Sequence, residues 1–212
     1  MSITSTSIVH HAFEFTTEDF ESRKAWPKTW PISKKTDWKG EYASQSPLNA
    51  MYIATKGGGA EGTEKYLALP GVNSEQFYAE ATPRWCRPRI SLDLRNTRAS
   101  VYLKEIKSIK VSRGFEPRLF IADYREKSHT YCGWYLTKPL RLGKKWTFNE
   151  IDLVNDERLW TRYALNRSLD EVLSKTGFIG IMYMRGIAYQ GVNANGILGI
   201  DEFKYNIPFG KG

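Results

Sequence analysis

The sequence predicts an all-β fold, an antiparallel β-sandwich with one short helix. Nine short segments are rich in β-branched and aromatic residues, and glycine, proline or asparagine turns separate them. Short strands separated by such turns are typical of a sandwich or barrel rather than of a parallel α/β sheet. The chain has 212 residues, of which 41% are hydrophobic. That length supports one domain with a sizeable core and is short for two.

The nine predicted strands lie at residues 50–54, 65–69, 76–79, 89–94, 118–122, 130–135, 146–153, 178–183 and 197–205. In the fourth strand Leu92 and Leu94 alternate with Asp93 and Arg95, which places the charged residues on a solvent face. Residues 101–111 fit either a strand or a helix. We favour a strand with a bulge at Glu105.

One helix is predicted to begin at Ser168. The run Ser-Leu-Asp-Glu at 168–171 matches the capping box, in which the serine hydroxyl and the glutamate each satisfy a free backbone N–H. Gly177 is placed to end this helix in a left-handed conformation. The glycine-rich run 56–62 lacks the Gly-Lys-Ser/Thr ending and the helix of a phosphate-binding loop, so we predict a mobile hairpin loop there.

The domain boundaries follow from the same pattern. We predict a flexible tail at residues 1–12, a single sandwich domain at 13–206 and a second tail at 207–212. No apolar stretch approaches the roughly 18 residues of a membrane helix, and the N-terminus lacks the features of a signal peptide. A processed module of an extracellular or surface protein remains compatible with this. Two cysteines, Cys86 and Cys132, are too few for a disulfide scaffold, and one bridge between them is the alternative to two free thiols.

The charge is unevenly distributed along this basic protein. The formal net charge is +8, and residues 84–113 contain nine basic and two acidic residues. Such a stripe attracts polyanions, among them acidic glycans, nucleic acids and anionic membrane surfaces. A solvated basic face without a ligand is the alternative. The chain carries no nucleic-acid-binding motif, so nucleic acid is not the polyanion that we favour.

Aromatic residues are interleaved with the basic ones, as where Tyr102 lies near Lys104. Flat rings stack on sugars, and arginine pairs with carboxylate or sulfate groups. Together they predict an acidic polysaccharide as ligand. The predicted ligand-binding residues are Trp85, Arg87, Arg89, Trp134, Tyr183, Arg185 and Tyr189. The alternative for Trp85, Trp134 and Tyr183 is a place in the core of the sandwich.

The C-terminal third carries a family resemblance. A strand that opens with Trp146 is followed by the short helix at 168–174, the apolar strand Phe-Ile-Gly-Ile-Met-Tyr at 178–183, and Gly-Ile-Asp-Glu-Phe at 199–203. This run resembles the second half of galactose-binding-like jelly rolls, the fold of many non-catalytic carbohydrate-binding modules. Phe-Glu-Phe at 13–15 or Asp-Phe-Glu at 19–21 is similar to the opening strand of that family. The resemblance implies a carbohydrate-binding jelly roll without catalysis.

The same resemblance implies a structural calcium ion that joins the first strand to the last. The matching positions are Asp201 in the closing strand and Glu14 or Glu21 near the start. Calcium takes six to eight oxygen ligands, which two carboxylates and backbone carbonyls could supply. Solvated acids, or an ion pair between Asp201 and a lysine, are the alternative.

Enzyme motifs are sparse. The sequence contains no Gly-x-Ser-x-Gly, His-Glu-x-x-His, Cys-x-x-Cys or phosphate-loop motif, which excludes the enzyme classes that depend on them. Asp-Leu-Arg at 93–95, Lys-Ser-His at 127–129 and the tyrosines of 183–189 are similar in order to the signature of jelly-roll alginate lyases, which cleave by β-elimination. Asp93, Lys127 and Arg185 each replace a different residue of that signature, and its glycine is displaced to Gly186. A lyase and a structural assembly protein of a virion or cell surface are therefore the alternatives to a binding module.

Overall fold

Two antiparallel β-sheets form the framework. The computed structural model describes residues 17–18, 38–39, 52–54, 56–74, 78–81, 92–111, 114–125, 130–164, 167–184 and 194–209. Within them the strands are β1 (Thr17–Glu18), β2 (Trp38–Lys39), β3 (Tyr52–Ala54), β4 (Tyr66–Ser74), β5 (Tyr78–Ala81), β6 (Thr97–Val111), β7 (Glu116–Arg125), β8 (Thr130–Leu136), β9 (Thr147–Leu153), β10 (Trp160–Ala164), β11 (Phe178–Met184) and β12 (Ala194–Pro208). The same residues include one α-helix, α1 (Leu169–Ser174), and 3₁₀ turns at Ala60–Gly62 and Glu157–Leu159. The predicted all-β sandwich with one short helix is confirmed.

Strand order departs from chain order in both sheets. The first sheet runs β3-β4-β12-β6-β9, with β1 also paired to β12, and the second runs β10-β8-β7-β11-β5-β2. The described ladders are all antiparallel. Because β12 lies between β4 and β6 while β1 pairs with it, the first and last described strands are neighbours, with Glu18 opposite Phe203.

The core lies between the two sheets and follows from strand alternation. Successive side chains of a strand point to opposite faces of the sheet. On β6 the inward residues Val101 and Leu103 are fully buried, and on β7 Leu119 and Ile121 meet them from the second sheet. Burial of each such side chain contributes about 1.5–3 kcal/mol. The residues that alternate with Val101 and Leu103 on β6 therefore point away from this core.

The helix begins as predicted but ends differently. The Ser168 hydroxyl accepts from the Glu171 N–H, and the Glu171 carboxylate accepts from the Ser168 N–H. The left-handed stop at Gly177 was a wrong prediction, because Gly177 does not have a positive φ. Instead the Thr176 hydroxyl donates to the carbonyl of Val172 at 2.9 Å, and the Thr176 backbone pairs with Leu92 in an isolated bridge. The chain therefore leaves the helix in an extended conformation.

Residues 101–111 belong to one long strand. Ile197 pairs with Lys107 while Leu198 pairs with Glu105, so the bulge residue is Ile106, one position beyond the predicted Glu105. The alternation around Leu94 is as expected, since Leu94 is buried while its neighbours Asp93 and Arg95 are exposed. At the C-terminus β12 continues to Pro208, two residues into the segment predicted as a tail.

The sequence left a disulfide bridge possible and predicted no membrane-spanning helix. Cys132 is buried and is a free thiol, whereas Cys86 and the predicted tail at 1–12 lie outside the described residues. Among the described helices, none is both long enough and apolar enough to cross a membrane.

Candidate ligand-binding face

Two of the seven predicted ligand-binding residues can be placed. The structure leaves Trp85, Arg87, Arg89, Arg185 and Tyr189 outside the described residues. Trp134 is 6% exposed and Tyr183 is 4% exposed, and both belong to the core between the sheets. The Trp134 indole N–H donates to the Arg167 carbonyl at 3.1 Å, and burial raises the pKa of Tyr183. Rings enclosed in the core cannot stack on a sugar, so the prediction for these two residues is corrected to a core role.

Several described arginines are neutralised by nearby acids. Arg95 contacts Asp93 at 2.6 Å and Asp170 at 3.5 Å. Further pairs are Arg98 with Asp152, Arg118 with Glu116, Arg158 with Asp156 and Arg167 with Asp123. For the lyase alternative this means that Arg95 is already occupied and Tyr183 is buried, while Lys127, His129 and Tyr189 lie outside the described residues. The described residues therefore assemble no β-elimination site.

A partly exposed aromatic surface lies on the outer face of the first sheet. Tyr102 of β6 is directly opposite Phe148 of β9, with ring centroids 5.0 Å apart. Phe148 is 40% exposed. Continuing the register of β6 and β9 by one residue places Trp146 beside Lys104, whose Nζ lies 5.4 Å from the centroid of the indole ring. We call Tyr102, Lys104, Trp146 and Phe148 the aromatic platform.

The Trp146 ring rests directly on the sheet. A Cβ added at Gly199 of β12 would lie 2.8 Å from the Cη2 atom of Trp146, so this close approach requires glycine. Tyr66 packs edge-on against the indole with ring centroids 5.3 Å apart, and the indole N–H donates to the Gly58 carbonyl at 3.2 Å. These contacts hold the ring in one orientation while it stays partly exposed.

The glycine-rich loop borders the platform. The Tyr102 hydroxyl donates to the Glu61 carboxylate, and the Tyr66 hydroxyl donates to the Lys56 carbonyl at 3.1 Å. The sequence predicted a mobile hairpin loop here, but side chains from the outer face of the sheet hold it at several points. The hydrogen bond to Glu61 raises the pKa of Tyr102 to about 12, because the carboxylate stabilises the neutral phenol. A carboxylate can accept further hydrogen bonds, so exposed Glu61 is also free to accept from a ligand hydroxyl.

Charge is asymmetric along this face. The lysines without an ion-pair partner among the described residues include Lys104, Lys107 and Lys110 on β6, and Lys145 next to Trp146. At the other end, Arg98 is paired with Asp152 at 2.9 Å and with Glu150 at 3.7 Å. The Trp146 end of the face is therefore the cationic one.

Tyr102 and Lys104 are near neighbours in the sequence, but no platform residue was among the predicted ligand-binding residues. One signal was available, since Trp146 and Phe148 are two positions apart and must share a face of a strand. Sequence alone does not tell whether that face is the inner or the outer one. The burial of Ile151 and Leu153 on the opposite face of β9 decides this.

The outward face of the second sheet also carries aromatic residues. Phe120 and Tyr135 are cross-strand neighbours, Tyr163 lies near both, and the Arg118 guanidinium lies 5.6 Å from the Tyr135 ring centroid. These three rings are only 2–5% exposed. Among the aromatic residues that the structure describes on the two outward faces, those of the aromatic platform are the more exposed.

Asp201 is the one predicted metal ligand that the structure describes. It is 2% exposed, and its Oδ2 accepts from the Ala60 N–H at 2.6 Å and from the Thr63 hydroxyl at 2.9 Å. Its Oδ1 accepts from the Glu202 N–H at 2.9 Å. Burial raises the pKa of Asp201, and the hydrogen bonds partly offset that effect.

Whether Asp201 can also bind calcium depends on the carboxylate lone pairs that accept no hydrogen bond. An ionised carboxylate offers about four acceptor positions, so three hydrogen bonds leave Asp201 one oxygen position for a cation. No group of three His, Cys, Asp or Glu side chains within the described part of the chain could hold a metal. Glu14 and Glu21 lie outside that part, so the calcium site stays a prediction.

Comparison with known proteins identifies the fold. No family model and no curated protein matches the sequence. Among solved structures, the family 11 carbohydrate-binding module from Clostridium thermocellum in complex with a β-1,3-1,4-mixed-linked tetrasaccharide is 14% identical, with a TM-score of 0.51 over 91% of this chain and 95% of that one. The family 11 module of the C. thermocellum cellulosomal cellulase Lic26A-Cel5E is 14% identical, with a TM-score of 0.48 over 75% and 81% of the two chains. The L4b domain of human laminin α-2 is 11% identical, with a TM-score of 0.47 over 86% and 96%. The chain therefore has the predicted β-sandwich jelly-roll fold, which it shares with the first of these structures.

The Tyr102 hydrogen bond generates a prediction. In Glu61→Ala the pKa of Tyr102 should fall from about 12 toward its ordinary value of 10, because the hydrogen bond to the carboxylate and its negative charge are both lost. A pH titration by NMR of protein labelled at the tyrosine ring carbon would measure this, with Tyr102→Phe identifying the signal. A wild-type Tyr102 that titrates near 10 would contradict the assigned contact.

Proposed function

We propose that this protein is a non-catalytic carbohydrate-binding domain whose ligand lies on the aromatic platform. The observation that carries the proposal is the partly exposed row of rings on an outer sheet face, because contiguous apolar surface of this kind often marks a binding site. Aromatic faces pack against the apolar faces of sugar rings. Glu61 and Lys104 add an acceptor and a donor for sugar hydroxyls beside those rings.

The geometry favours an extended chain over a single sugar. Trp146 directly precedes β9 and lies two residues before Phe148, so in a continued register their positions are separated by roughly 7 Å along the sheet. Tyr102 lies beside Phe148, and Lys104 lies beside Trp146. An oligosaccharide lying along β9 would contact both of these residue pairs, whereas a single sugar would contact only one pair.

We further propose that the polysaccharide is acidic. The support is Lys104 over the Trp146 ring, together with the lysines at 107, 110 and 145 that have no ion-pair partner among the described residues. An anionic group on a sugar stacked at Trp146 would lie within reach of Lys104. Exposed ion pairs contribute only about 0.2–1 kcal/mol each, so the lysines select among chains that the rings bind.

Removal of the rings tests the site. Trp146→Ala and Phe148→Ala should each weaken binding by about tenfold or more, because a central aromatic contact is worth at least about 1.4 kcal/mol. Affinity electrophoresis against a panel of neutral and acidic polysaccharides would measure this, followed by titration calorimetry on the best ligand. Leu159→Ala is the matched control, because Leu159 is 44% exposed but adjoins β10 of the second sheet.

Three outcomes would contradict these statements. If wild-type protein binds no polysaccharide on the panel, the proposed function fails. If it binds but the two ring variants bind equally well, the platform is not the site. Release of unsaturated sugar ends, seen as ultraviolet absorbance during incubation with a uronan, would replace a binding module by a lyase.

The acidic preference has its own test. In Lys104→Gln the affinity for an acidic chain should fall by about twofold to fivefold, the range of an exposed ion pair, while that for a neutral chain is retained. Lys175→Gln is the matched control, since it removes the same charge at the end of α1. Affinity for the acidic chain should also fall with added salt because exposed charges are screened. Equal binding of neutral and acidic chains at all salt concentrations would contradict the proposal.

We also propose that calcium binds where β1 meets β12, with Asp201 as one ligand. The support is the pairing of Glu18 with Phe203, two residues from Asp201, and the remaining acceptor position of its carboxylate. Saturating Ca²⁺ should raise the melting temperature relative to a chelator, because a ligand at 100 times its Kd stabilises by about 2.7 kcal/mol. In Asp201→Asn that increase should be lost. Identical melting curves of wild-type protein in Ca²⁺ and in chelator would overturn the proposal, and Mg²⁺ serves as the control ion.

A further inference from the structure

The glycine-rich loop connects a buried carboxylate to the exposed platform. Its Gly58 carbonyl accepts from the Trp146 indole, and Glu61 accepts from Tyr102. The loop is thus the common partner of two platform rings. The position of the loop must therefore influence how those rings are presented.

Asp201 holds this loop from the neighbouring strand. The Ala60 N–H and the Thr63 hydroxyl both donate to Oδ2 of Asp201, across 141 and 138 positions of sequence. The approach is so close that a Cβ at Gly59 would lie 2.4 Å from this oxygen and 2.0 Å from Thr63 Oγ1. No side chain other than hydrogen fits at position 59 while the loop keeps this place.

The backbone of β12 is shaped to present the carboxylate. Glu202, the next residue, has a φ of +48°, a left-handed conformation that side chains other than glycine rarely adopt. The β12 register with β6 shifts at this point, between Asp201 and Lys204. The N–H of Glu202 turns back to Oδ1 of Asp201 at 2.9 Å, so the unfavourable backbone conformation orients the side chain.

From these contacts we propose that Asp201 is a positioning residue of the ligand-binding face. It fixes Ala60 and Thr63, and through the loop it sets Gly58 and Glu61, which orient Trp146 and Tyr102. With 2% of its surface exposed, Asp201 does not itself contact the ligand. The inference rests on the proposed function and adds to it the residue on which the geometry of the platform depends.

Replacement by asparagine is the sharpest change at this position. Asn has the same shape, but one of its two terminal groups is an NH₂ donor. In one orientation this NH₂ faces the Ala60 N–H, and in the other it faces the Glu202 N–H. In the first orientation the Ala60 N–H loses its acceptor. In the second the Glu202 N–H loses its acceptor, and the loop donors face a neutral amide oxygen, which is a weaker acceptor than a carboxylate.

Hydrogen exchange measures the loop without any ligand. In Asp201→Asn, kept in chelator, the amides of Gly59 and Ala60 should exchange about tenfold faster, since each tenfold corresponds to about 1.4 kcal/mol of opening free energy. Thr63→Val should have a similar effect because it removes the hydroxyl donor, whereas Thr63→Ser keeps the hydroxyl and should behave as wild type. The Thr63 pair gives an answer even if Asp201→Asn does not fold.

Two further measurements connect the loop to the platform. The fluorescence of Trp146, obtained by subtracting the Trp146→Phe spectrum, should shift to longer wavelength in Asp201→Asn and Thr63→Val. Affinity for the best polysaccharide of the panel should fall about tenfold in the same variants. In the Trp146→Ala background Asp201→Asn should have a much smaller effect, because residues that act through one contact are not additive. Ser168→Ala, which weakens the distant helix cap, controls for general loss of stability.

Each contrary result overturns the inference in a distinguishable way. Unchanged exchange at Gly59 and Ala60 would show that Asp201 does not hold the loop. Faster exchange with unchanged Trp146 fluorescence and affinity would show that the loop does not position the rings. If wild-type protein binds no polysaccharide, the proposed function fails, while exchange and fluorescence still decide whether Asp201 sets the rings.

Discussion

The pairing of β6 with β9 and β12 is the constraint on which both the core and the candidate site depend. Because side chains alternate along a strand, the same stretch of β6 supplies Val101 and Leu103 to the core and Tyr102 and Lys104 to the surface. A slip of one residue would exchange these sets and place a lysine between the sheets. The large cost of burying an unpaired charge therefore holds the platform residues outside.

The carboxylate of Asp201 shows how a buried polar group is accommodated in this sandwich. Removing a carboxylate from water is costly unless hydrogen bonds replace the lost water. Three donors from the loop and from β12 do this for Asp201. They also secure a loop whose glycines would otherwise leave it with high conformational entropy. Burial and ordering of the loop are thus parts of the same interaction.

Counting basic and aromatic residues in the sequence does not show which of them are paired or buried in the fold. Five described arginines meet acids that lie near them in space, and for Arg98 and Arg167 those acids are far away in sequence. The lysines of β6 and of the loop before β9 are among the cations that form no such pair with a described residue, apart from Lys144. In the same way, Trp134 lies within β8 and Trp146 directly precedes β9, but Trp134 is buried in the core whereas Trp146 lies on the outer face.

Local patterns were sufficient for the elements of this fold. Alternation, turn residues and the capping box at Ser168 depend on neighbours in the chain, so the sandwich, most of its strands and the start of its helix could be predicted from sequence. The strand β10 was not predicted, and in the predicted strand at 89–94 the described residues form only an isolated bridge at Leu92. The end of the helix could not, because Thr176 is drawn into a bridge with Leu92, more than 80 positions away. The same limit applies to the site. Which face of a strand is outward, which cations stay unpaired and where Asp201 directs its oxygens depend on strands and loops brought together only by the tertiary fold.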